Sequence, residues 1–250
     1  NFYETILKTL ILKIIKYILH LNKSVLILEN NDDLNFFVNQ QKIPTKKILK
    51  LPGAGVDLKK FNYFEKKKKN IILFPARVLK EKGIEEFYKA AKKLSLKFKN
   101  WLFLVAGTVD YKKNNRNSKI QLFKNTKQIK FLGYMEEMHK LFNKSSIVCL
   151  PSYREGFPKS LIEACASGCA IVTTNVPGCR QAVKKNKNAF LVKPKNYEML
   201  VENLEKLILN KKLRKYFSKN SRTLANKKYD IKKFVKANIK EYQRIWKKKF

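Results

Sequence analysis

The 250-residue sequence predicts an α/β fold in which a parallel sheet is covered by helices on both faces. Short apolar runs rich in Val, Ile and Leu recur along the chain, and most of the gaps between them show helical periodicity. All eight glycines lie at predicted strand or helix junctions. Strands that are continuously apolar are buried on both faces, which is typical of parallel sheets.

The predicted strands are short, and turn residues bound them. They cover Val25–Leu28, Ile48–Leu51, Ile71–Pro75, Leu102–Ala106, Ile129–Leu132, Ile147–Leu150, Ala170–Thr173 and Phe190–Val192. The helical pattern between them has a period near 3.6 residues. The predicted helices cover residues 2–21, Asp33–Gln40, Ile84–Phe98, Asn117–Asn125, Met135–Ser145, Lys159–Ser167, Glu198–Asn210, 211–226 and 231–247.

The net charge of +37 suggests a nucleic acid or an anionic membrane as a partner. Only 7 of the 56 basic residues are arginine, which base readout and phosphate forks favour, and the lysines are spread along the whole chain. This composition argues against a nucleic-acid partner. Codon drift in an AT-rich genome is the favoured explanation of the charge, and attraction to a membrane surface is the alternative. The charge run Glu65–Lys69 is predicted to be a solvated loop.

The four cysteines lie in apolar or helical contexts without a paired Cys-x-x-Cys motif, which predicts core thiols rather than a metal site or disulfides. The apolar segment Thr5–Leu21 contains three lysines and is too charged to cross a bilayer. These lysines cluster on one side of a helical wheel, so the helix either lies on a membrane or packs on a sheet. The chain begins at Asn1 without a methionine, and we interpret it as a piece of a longer protein or a truncated gene product.

The segment from Glu155 to Glu163 carries the strongest site signal. It follows a strand that ends near Pro151, turns at Gly156 and starts a helix near Pro158, where a proline suits the first helical turn. The N-terminus of such a helix presents unpaired N–H groups and a positive dipole end, which suit a phosphate. A carboxylate on each side of that anion site predicts a ligand that joins a phosphate to a polyhydroxyl group, as a nucleotide-sugar does.

Two cations are predicted to lie at the same edge of the sheet. Arg77 follows the strand Ile71–Pro75, and Lys82 stands just before the helix-starting Gly83. Both can reach the crevice at the carboxyl ends of the strands, where open α/β sheets bind ligands. Two fixed cations there would neutralise a diphosphate leaving group. For these two residues taken alone, a solvated pair is the alternative interpretation.

The motifs occur in the order GAGVD, RVLKEKG, VAG, FLG, EGFPKSLIEA, SGCAIV and VPGCR. This order resembles the nucleotide-binding half of retaining GT-B glycosyltransferases of family 4, from about Leu51 to Leu209. The GAGVD and NVPGCR motifs are most similar to the group that transfers sugars onto polyprenyl-diphosphate carriers or surface-polysaccharide precursors. The resemblance implies the Rossmann-like C-terminal half of a GT-B protein, preceded by an incomplete N-terminal Rossmann-like domain.

The resemblance also implies a division of the chain into three parts. Residues 1–45 correspond to the C-terminal remnant of the N-terminal acceptor domain, and residues 46–228 to the nucleotide-sugar donor-binding domain. Residues 229–250 correspond to a C-terminal helix that returns to the N-terminal domain. Because acceptor recognition lies mainly in that domain of the family, we expect this chain alone to bind donor nucleotide weakly and to transfer no sugar.

Each site residue acquires a role from the resemblance. The cationic pair would hold the donor diphosphate, Glu163 would bind the ribose hydroxyls, and Glu155 would lie beside the donor sugar. Backbone N–H groups of the turn and the first helical residues would contact the sugar and phosphate, and the segment after Ile129–Leu132 would contact the base. The implied catalytic residues are Glu155, Arg77 and Lys82, and the implied donor-binding residues are Gly156, Phe157, Pro158, Lys159, Ser160, Leu161, Glu163, Gly133 and Tyr134.

The implied function is transfer, with retention, of a sugar from a nucleotide-diphosphate sugar, with a UDP-sugar favoured. The implied acceptor is a glycan that is polyprenyl-diphosphate-linked or belongs to a surface polysaccharide, reached from the cytoplasm at the inner face of the plasma membrane. The resemblance implies a reaction that needs no metal or cofactor, because fixed cations and the helix end stabilise the leaving group. The sequence agrees with this, since no Asp-x-Asp pair lies in a suitable loop. Two alternatives stay open: a nucleotide-sugar epimerase of the same fold, and a basic nucleic-acid-binding α/β protein.

Overall fold

A computed structural model describes residues 2–21, 24–51, 53–109 and 125–247. The chain forms two compact units: the first is Asn1–Gly53 with Val235–Phe250, and the second is Ala54–Phe234. These limits differ from the predicted ones, after residues 45 and 228, because of two local contacts. The strand at residues 48–50 pairs with a strand of the first unit, and the backbone of Val56 bonds to residues 229 and 231. The roles that the resemblance gives to the parts stay predictions.

The first unit is built around a two-stranded parallel sheet, in which Leu26 lies opposite Ile48. Before its final segment it contains helix α1 (Phe2–His20), strand β1 (Leu26–Leu28), helix α2 (Asn31–Asn35) with a following π-helical turn (Phe36–Gln40), a 3₁₀ turn (Thr45–Lys47) and strand β2 (Ile48–Lys50). The side chain of Asn30 accepts a hydrogen bond from the backbone N–H of Asp33 at 2.8 Å. This N-cap starts α2 two residues earlier than the predicted helix.

The second unit is a single parallel sheet with helices on both faces. Among the described residues its strands are β3 (Lys69–Phe74), β4 (Leu102–Ala106), β5 (Ile129–Gly133), β6 (Ser145–Leu150), β7 (Ala170–Thr174) and β8 (Ala189–Val192). Its helices are α3 (Ile84–Lys97), α4 (Met138–Lys144), α5 (Lys159–Ala166), α6 (Tyr197–Leu209), α7 (Lys211–Lys228) and the start of α8 (Ile231–Lys247), which continues in the first unit.

The strands of this sheet lie in the order β5-β4-β3-β6-β7-β8, and every neighbouring pair is parallel. After β3 the chain continues to β4 and β5 on one side of the sheet, and after β6 it continues to β7 and β8 on the other side. The loops that follow these two strands therefore border the switch point, the crevice in which open α/β sheets bind their ligands.

Alternate side chains of the strands supply two separate cores, one on each face of the sheet. Ile72, Phe74 and Ile147 pack with α3 and α6 on one face, while Leu73 and Val148 pack with α5 on the other. All five side chains are fully buried. The predicted sheet, apolar on both faces and covered by helices, is confirmed.

Strand β6 begins two residues earlier than predicted, and α4 is shorter than the predicted helix Met135–Ser145. A pair of buried serines accounts for the earlier start of β6. The hydroxyl of Ser145 donates to the carbonyl of Leu141 at 2.7 Å, and that of Ser146 to the carbonyl of Lys69 at 2.5 Å. Because these bonds satisfy the hydroxyls, polar residues occupy a buried strand that an apolar pattern does not reveal.

The remaining predictions of secondary structure agree closely with the observed elements. Strand β4 has its predicted bounds, and β5 and β7 each extend one residue further than predicted, to Gly133 and Thr174. The predicted helix Asn117–Asn125 lies, apart from its last residue, outside the described residues. All four cysteines are free and buried, as expected of core thiols. Within the described ranges, no helix is both long enough and apolar enough to cross a bilayer.

Gly83 allows the loops after β3 and β6 to approach each other. Its φ is 75°, and a Cβ built on it would lie 2.1 Å from the carbonyl oxygen of Pro151. The two loops can therefore lie this close only because residue 83 has no side chain.

We expect Gly83→Ala to lower the free energy of unfolding by about 3 kcal/mol, because alanine is strained in the left-handed conformation and its Cβ would also displace the backbone of Pro151. Urea unfolding measures this loss. Gly133 is the matched control: its φ is 68° but its Cβ would meet open space, so Gly133→Ala should cost only about 1 kcal/mol. Equal losses would contradict the close approach.

Candidate functional site

Lys82 and Glu155 meet at the switch point between β3 and β6. Lys82 ends the 3₁₀ turn Lys80–Lys82 that follows β3, and Glu155 lies in the loop that follows β6. The Nζ atom of Lys82 lies 2.6 Å from Oε1 of Glu155, and the two side chains are only 22% and 12% exposed. Since little water screens it, this ion pair is stronger than a pair on the open surface. The structure thus brings together two of the three residues predicted to be catalytic.

Ser152 holds the same carboxylate oxygen. Its hydroxyl donates to Oε1 of Glu155 at 2.7 Å, and the residue is fully buried. Its own carbonyl accepts a hydrogen bond from the hydroxyl of Thr174 at the end of β7. Ser152 is not among the residues that the sequence predicts for the site. The one local signal is its position, directly after the strand-ending Pro151 and three residues before Glu155. A serine at such a position is also common in ordinary loops.

Tyr153 ties the loop after β6 to the elements that follow β3. Its backbone N–H donates to the carbonyl of Glu81 at 2.8 Å, and its hydroxyl donates to Oε1 of Glu86 at 2.7 Å. Burial and the Glu86 carboxylate raise the pKa of Tyr153, so the hydroxyl keeps its proton at neutral pH. Together with the ion pair of Lys82, these contacts fix the two loops relative to each other before any ligand binds.

Helix α5 starts at Lys159, as predicted, directly after Pro158. No side chain in the described part of the chain caps its first turn, so the positive end of the helix dipole borders the loop of Glu155. Pro158 and Leu161 are buried, Ser160 is half-buried and Lys159 is exposed. The backbone N–H of Leu161 donates to the Pro158 carbonyl at 3.0 Å, and Pro158 itself has no N–H. Of the predicted donor-binding residues of this helix, Lys159 and Ser160 are therefore the ones whose backbone N–H groups can meet an anion.

Residues from distant parts of the chain, Tyr229 and Gly178, pack against the turn between Glu155 and α5. The Phe157 ring lies edge-on to the Tyr229 ring at 6.1 Å and packs against the core, while Gly156 is exposed. Gly178 has a φ of 76°, and a Cβ there would lie 2.4 Å from the carbonyl oxygen of Gly156. The Val-Pro-Gly-Cys-Arg motif thus supplies a glycine that lets the chain pass directly behind the turn.

Glu163 lies on α5, one helical turn beyond Lys159. Its side chain is 14% exposed, and the Lys159 Nζ lies 3.9 Å from its Oε1. Burial raises the pKa of Glu163 to about 7, while the charges of Lys159 and Lys60 act in the opposite direction. No hydrogen bond from the described residues reaches this carboxylate, so its oxygens keep their capacity to accept bonds from a ligand.

The structure places the other predicted residues at the same sheet edge without joining them to the ion pair. Arg77 and Tyr134 are exposed. The carbonyl of Arg77 accepts a hydrogen bond from the backbone N–H of Leu79 at 2.9 Å, but neither side chain makes a hydrogen bond or ion pair with another described residue. Gly133 and Tyr134 lie at the end of β5, which is two strands, about 10 Å, away from β3. A ligand that contacts all of the predicted residues must therefore extend across this edge of the sheet.

The family of the chain follows from a family-model comparison. The model described as "Glycosyl transferases group 1" matches residues 56–224. The chain belongs to this family. The match contains the ion pair at the switch point, the start of α5 and Glu163, so the site described above lies in the part of the chain that defines a group 1 glycosyltransferase.

Two group 1 relatives from bacteria illustrate the similarity. The chain is 32% identical over 223 residues to the N,N'-diacetylbacillosaminyl-diphospho-undecaprenol alpha-1,3-N-acetylgalactosaminyltransferase of Campylobacter jejuni, a match that covers 84% of this chain and 57% of that protein. It is 26% identical over 159 residues to the capsular polysaccharide biosynthesis glycosyltransferase CapM of Staphylococcus aureus, covering 64% of this chain and 42% of that protein. The chain thus spans about half the length of these relatives.

Solved structures share the fold. The C-terminal domain of the group 1 protein LpcC from Francisella tularensis superposes with a TM-score of 0.64 at 28% identity, covering 71% of this chain and all of that domain. Anabaena HepE, solved in complex with UDP and glucose, superposes with a TM-score of 0.77 at 15% identity, covering 88% of this chain and 63% of that one. The predicted glycosyltransferase family and the predicted Rossmann-like GT-B fold are confirmed, while the assignment to retaining enzymes of family 4 stays a prediction.

Proposed function

We propose that this chain carries the donor site of a retaining glycosyltransferase that uses a nucleotide-diphosphate sugar, with a UDP-sugar favoured. The observation that carries the proposal is the Lys82–Glu155 ion pair beside the N-terminus of α5, with Glu163 further along the same helix. A cation and a helix N-terminus suit a diphosphate, and carboxylates at its two sides suit the hydroxyls of a sugar and of a ribose. The UDP and glucose bound by HepE, a protein of the same fold, support this choice of ligand.

The charges of the site suit the breaking of the bond between the anomeric carbon and the diphosphate. Negative charge develops on the departing diphosphate, where Arg77, Lys82 and the α5 N-terminus stabilise it. The Lys82 ammonium has three N–H donors and can bind Glu155 and a phosphate oxygen together. Glu155 orients the hydroxyls of the donor sugar and stabilises positive charge at its anomeric carbon. Gly133 and Tyr134 contact the base, and the proposal includes no metal or cofactor.

The proposed acceptor is a glycan carried on a polyprenyl diphosphate or on a surface-polysaccharide precursor. The Campylobacter relative is named for an undecaprenol-diphosphate-linked acceptor, and the Staphylococcus relative for capsular polysaccharide. Such acceptors fit a place at the cytoplasmic face of the plasma membrane. There the net charge of +37 favours peripheral attachment to anionic lipids.

Calorimetric titration of the chain with UDP, GDP and ADP and with their sugar derivatives tests the proposal. We expect one of these nucleotides to bind, and Arg77→Ala and Glu163→Ala each to weaken binding by about tenfold or more, as expected when a charge-assisted contact is lost. Lys206→Ala removes an exposed lysine that pairs with Glu202 on α6 and serves as the control, with unchanged affinity expected. If no nucleotide binds, the proposed function is wrong. If neither site variant weakens binding, the site is misplaced.

A further inference from the structure

We propose that Ser152 is a positioning residue for Glu155. Its buried hydroxyl holds one carboxylate oxygen in place, so that the other oxygen is presented to the donor sugar. This inference rests on the proposed function, and it assigns to Ser152 a part in recognising the sugar rather than the nucleotide.

Both donors to the carboxylate bind the same atom. The hydroxyl of Ser152 and the ammonium of Lys82 lie 2.7 Å and 2.6 Å from Oε1 of Glu155. No donor among the described residues reaches Oε2. A carboxylate fixed through one oxygen in this way cannot rotate freely about its last bond, so Oε2 keeps its acceptor capacity and a set direction.

Lys82 and Ser152 differ in whether the donor ligand contacts them. The side chain of Lys82 is 22% exposed, and the proposed function directs its remaining N–H groups to the diphosphate. Ser152 is fully buried, and its carbonyl is bonded to the Thr174 hydroxyl. The backbone of the next residue, Tyr153, is bonded to Glu81. The serine hydroxyl is therefore the donor whose position does not depend on whether Lys82 also binds phosphate.

This arrangement divides the donor site into two parts. The nucleoside diphosphate meets Arg77, Lys82, α5 and Glu163, none of which Ser152 contacts through its hydroxyl. The sugar meets Oε2 of Glu155, whose direction depends on Ser152. Loss of the hydroxyl should therefore reduce the affinity that the sugar adds to the nucleotide and leave the affinity for the nucleoside diphosphate almost unchanged.

Calorimetry with UDP and UDP-N-acetylgalactosamine measures this added affinity. We expect the unaltered chain to bind the nucleotide-sugar about fivefold more tightly than UDP, and Ser152→Ala to reduce this ratio to less than about twofold while the Kd for UDP changes by less than about twofold. Ser152→Thr, which keeps the hydroxyl, should restore the ratio. Ser145→Ala is the matched control, because Ser145 is an equally buried serine at the other end of β6 whose hydroxyl binds the Leu141 carbonyl.

Several results would overturn the inference. These are a ratio near one in the unaltered chain, a ratio unchanged by Ser152→Ala, or an equal weakening of both ligands. A crystal structure of ligand-free Ser152→Ala is independent of nucleotide binding: we expect the Glu155 carboxylate to leave its present position, and an unmoved carboxylate would overturn the inference. Failure of the proposed function itself has a different signature, since UDP would then not bind at all or would bind independently of Glu163.

Discussion

Replacement of Glu163 by glutamine is expected to stabilise the second unit at pH 8 by about 3 kcal/mol, although it weakens nucleotide binding. Burial raises the pKa of Glu163 from an ordinary value of 4.5 to about 7. The folded state therefore binds this proton more tightly than the unfolded state does. The resulting stabilisation is complete below pH 4.5 and is lost as the pH rises through 7. Glutamine has no such proton and avoids the loss.

Urea unfolding at pH 4.5 and pH 8 measures this effect. Between these pH values the unaltered chain should lose about 3 kcal/mol more stability than Glu163→Gln does. Glu202→Gln, at an exposed position of α6, is the control and should follow the unaltered chain. Parallel pH profiles of the unaltered chain and Glu163→Gln would contradict an effect of burial on this carboxylate that outweighs the charges of Lys159 and Lys60.

The same pKa sets the pH dependence of nucleotide binding. Ribose hydroxyls donate to the ionised carboxylate more strongly than to the neutral acid. We therefore expect the affinity for UDP to rise as the pH passes through about 7, and this rise to be absent in Glu163→Gln. The ionised Glu163 carboxylate thus lowers the stability of the fold but strengthens nucleotide binding, a trade-off that is common at functional sites.

Replacement of Lys82 by methionine is expected to abolish measurable diphosphate binding and to lower the free energy of unfolding by about 2 kcal/mol. The substitution removes the proposed phosphate contact and leaves the Glu155 side chain, which is 12% exposed, without its cation. The cost is smaller than for a fully buried pair, because water reaches part of both side chains.

A double-mutant cycle separates these two effects. Adding Glu155→Gln to Lys82→Met removes the unpaired charge, so the double variant should regain most of the lost stability but none of the diphosphate binding. The coupling energy in urea unfolding should be about 1–2 kcal/mol. Lys206→Met and Glu202→Gln on α6, an exposed pair at 2.6 Å, should show almost no coupling. Stability losses that simply add for Lys82 and Glu155 would contradict the ion pair.

The apolar pattern predicted the sheet well, because its strands are buried on both faces and are almost continuously apolar. Strand β4 has its predicted bounds for this reason. The pattern failed where polar groups are satisfied inside the fold. The buried Ser145 and Ser146 begin β6, and Lys68, predicted to lie in a solvated loop, donates to the carbonyls of Phe142 and Ser145. Such contacts join distant parts of the chain and leave no local signal.

In the candidate site, too, residues within sequence motifs could be predicted, and residues that act through distant partners could not. Glu155, Lys82 and Glu163 were found because they lie in motifs that resemble a known family. Ser152 and Tyr153 were missed because their importance lies in their partners: the hydroxyl of Tyr153 binds Glu86, 67 positions earlier in the chain. The ion pair between Lys82 and Glu155 is likewise invisible in the sequence, because the resemblance implies a separate contact with the donor for each residue.

A crystal structure of the chain with UDP-N-acetylgalactosamine tests the central claim most directly. The account predicts the diphosphate at the N-terminus of α5 beside Lys82, the ribose hydroxyls at Glu163 and the sugar at Glu155. A nucleotide bound at the N-terminal ends of β3 and β6, in the cavity lined by Lys68, Lys211 and Arg214, would contradict it.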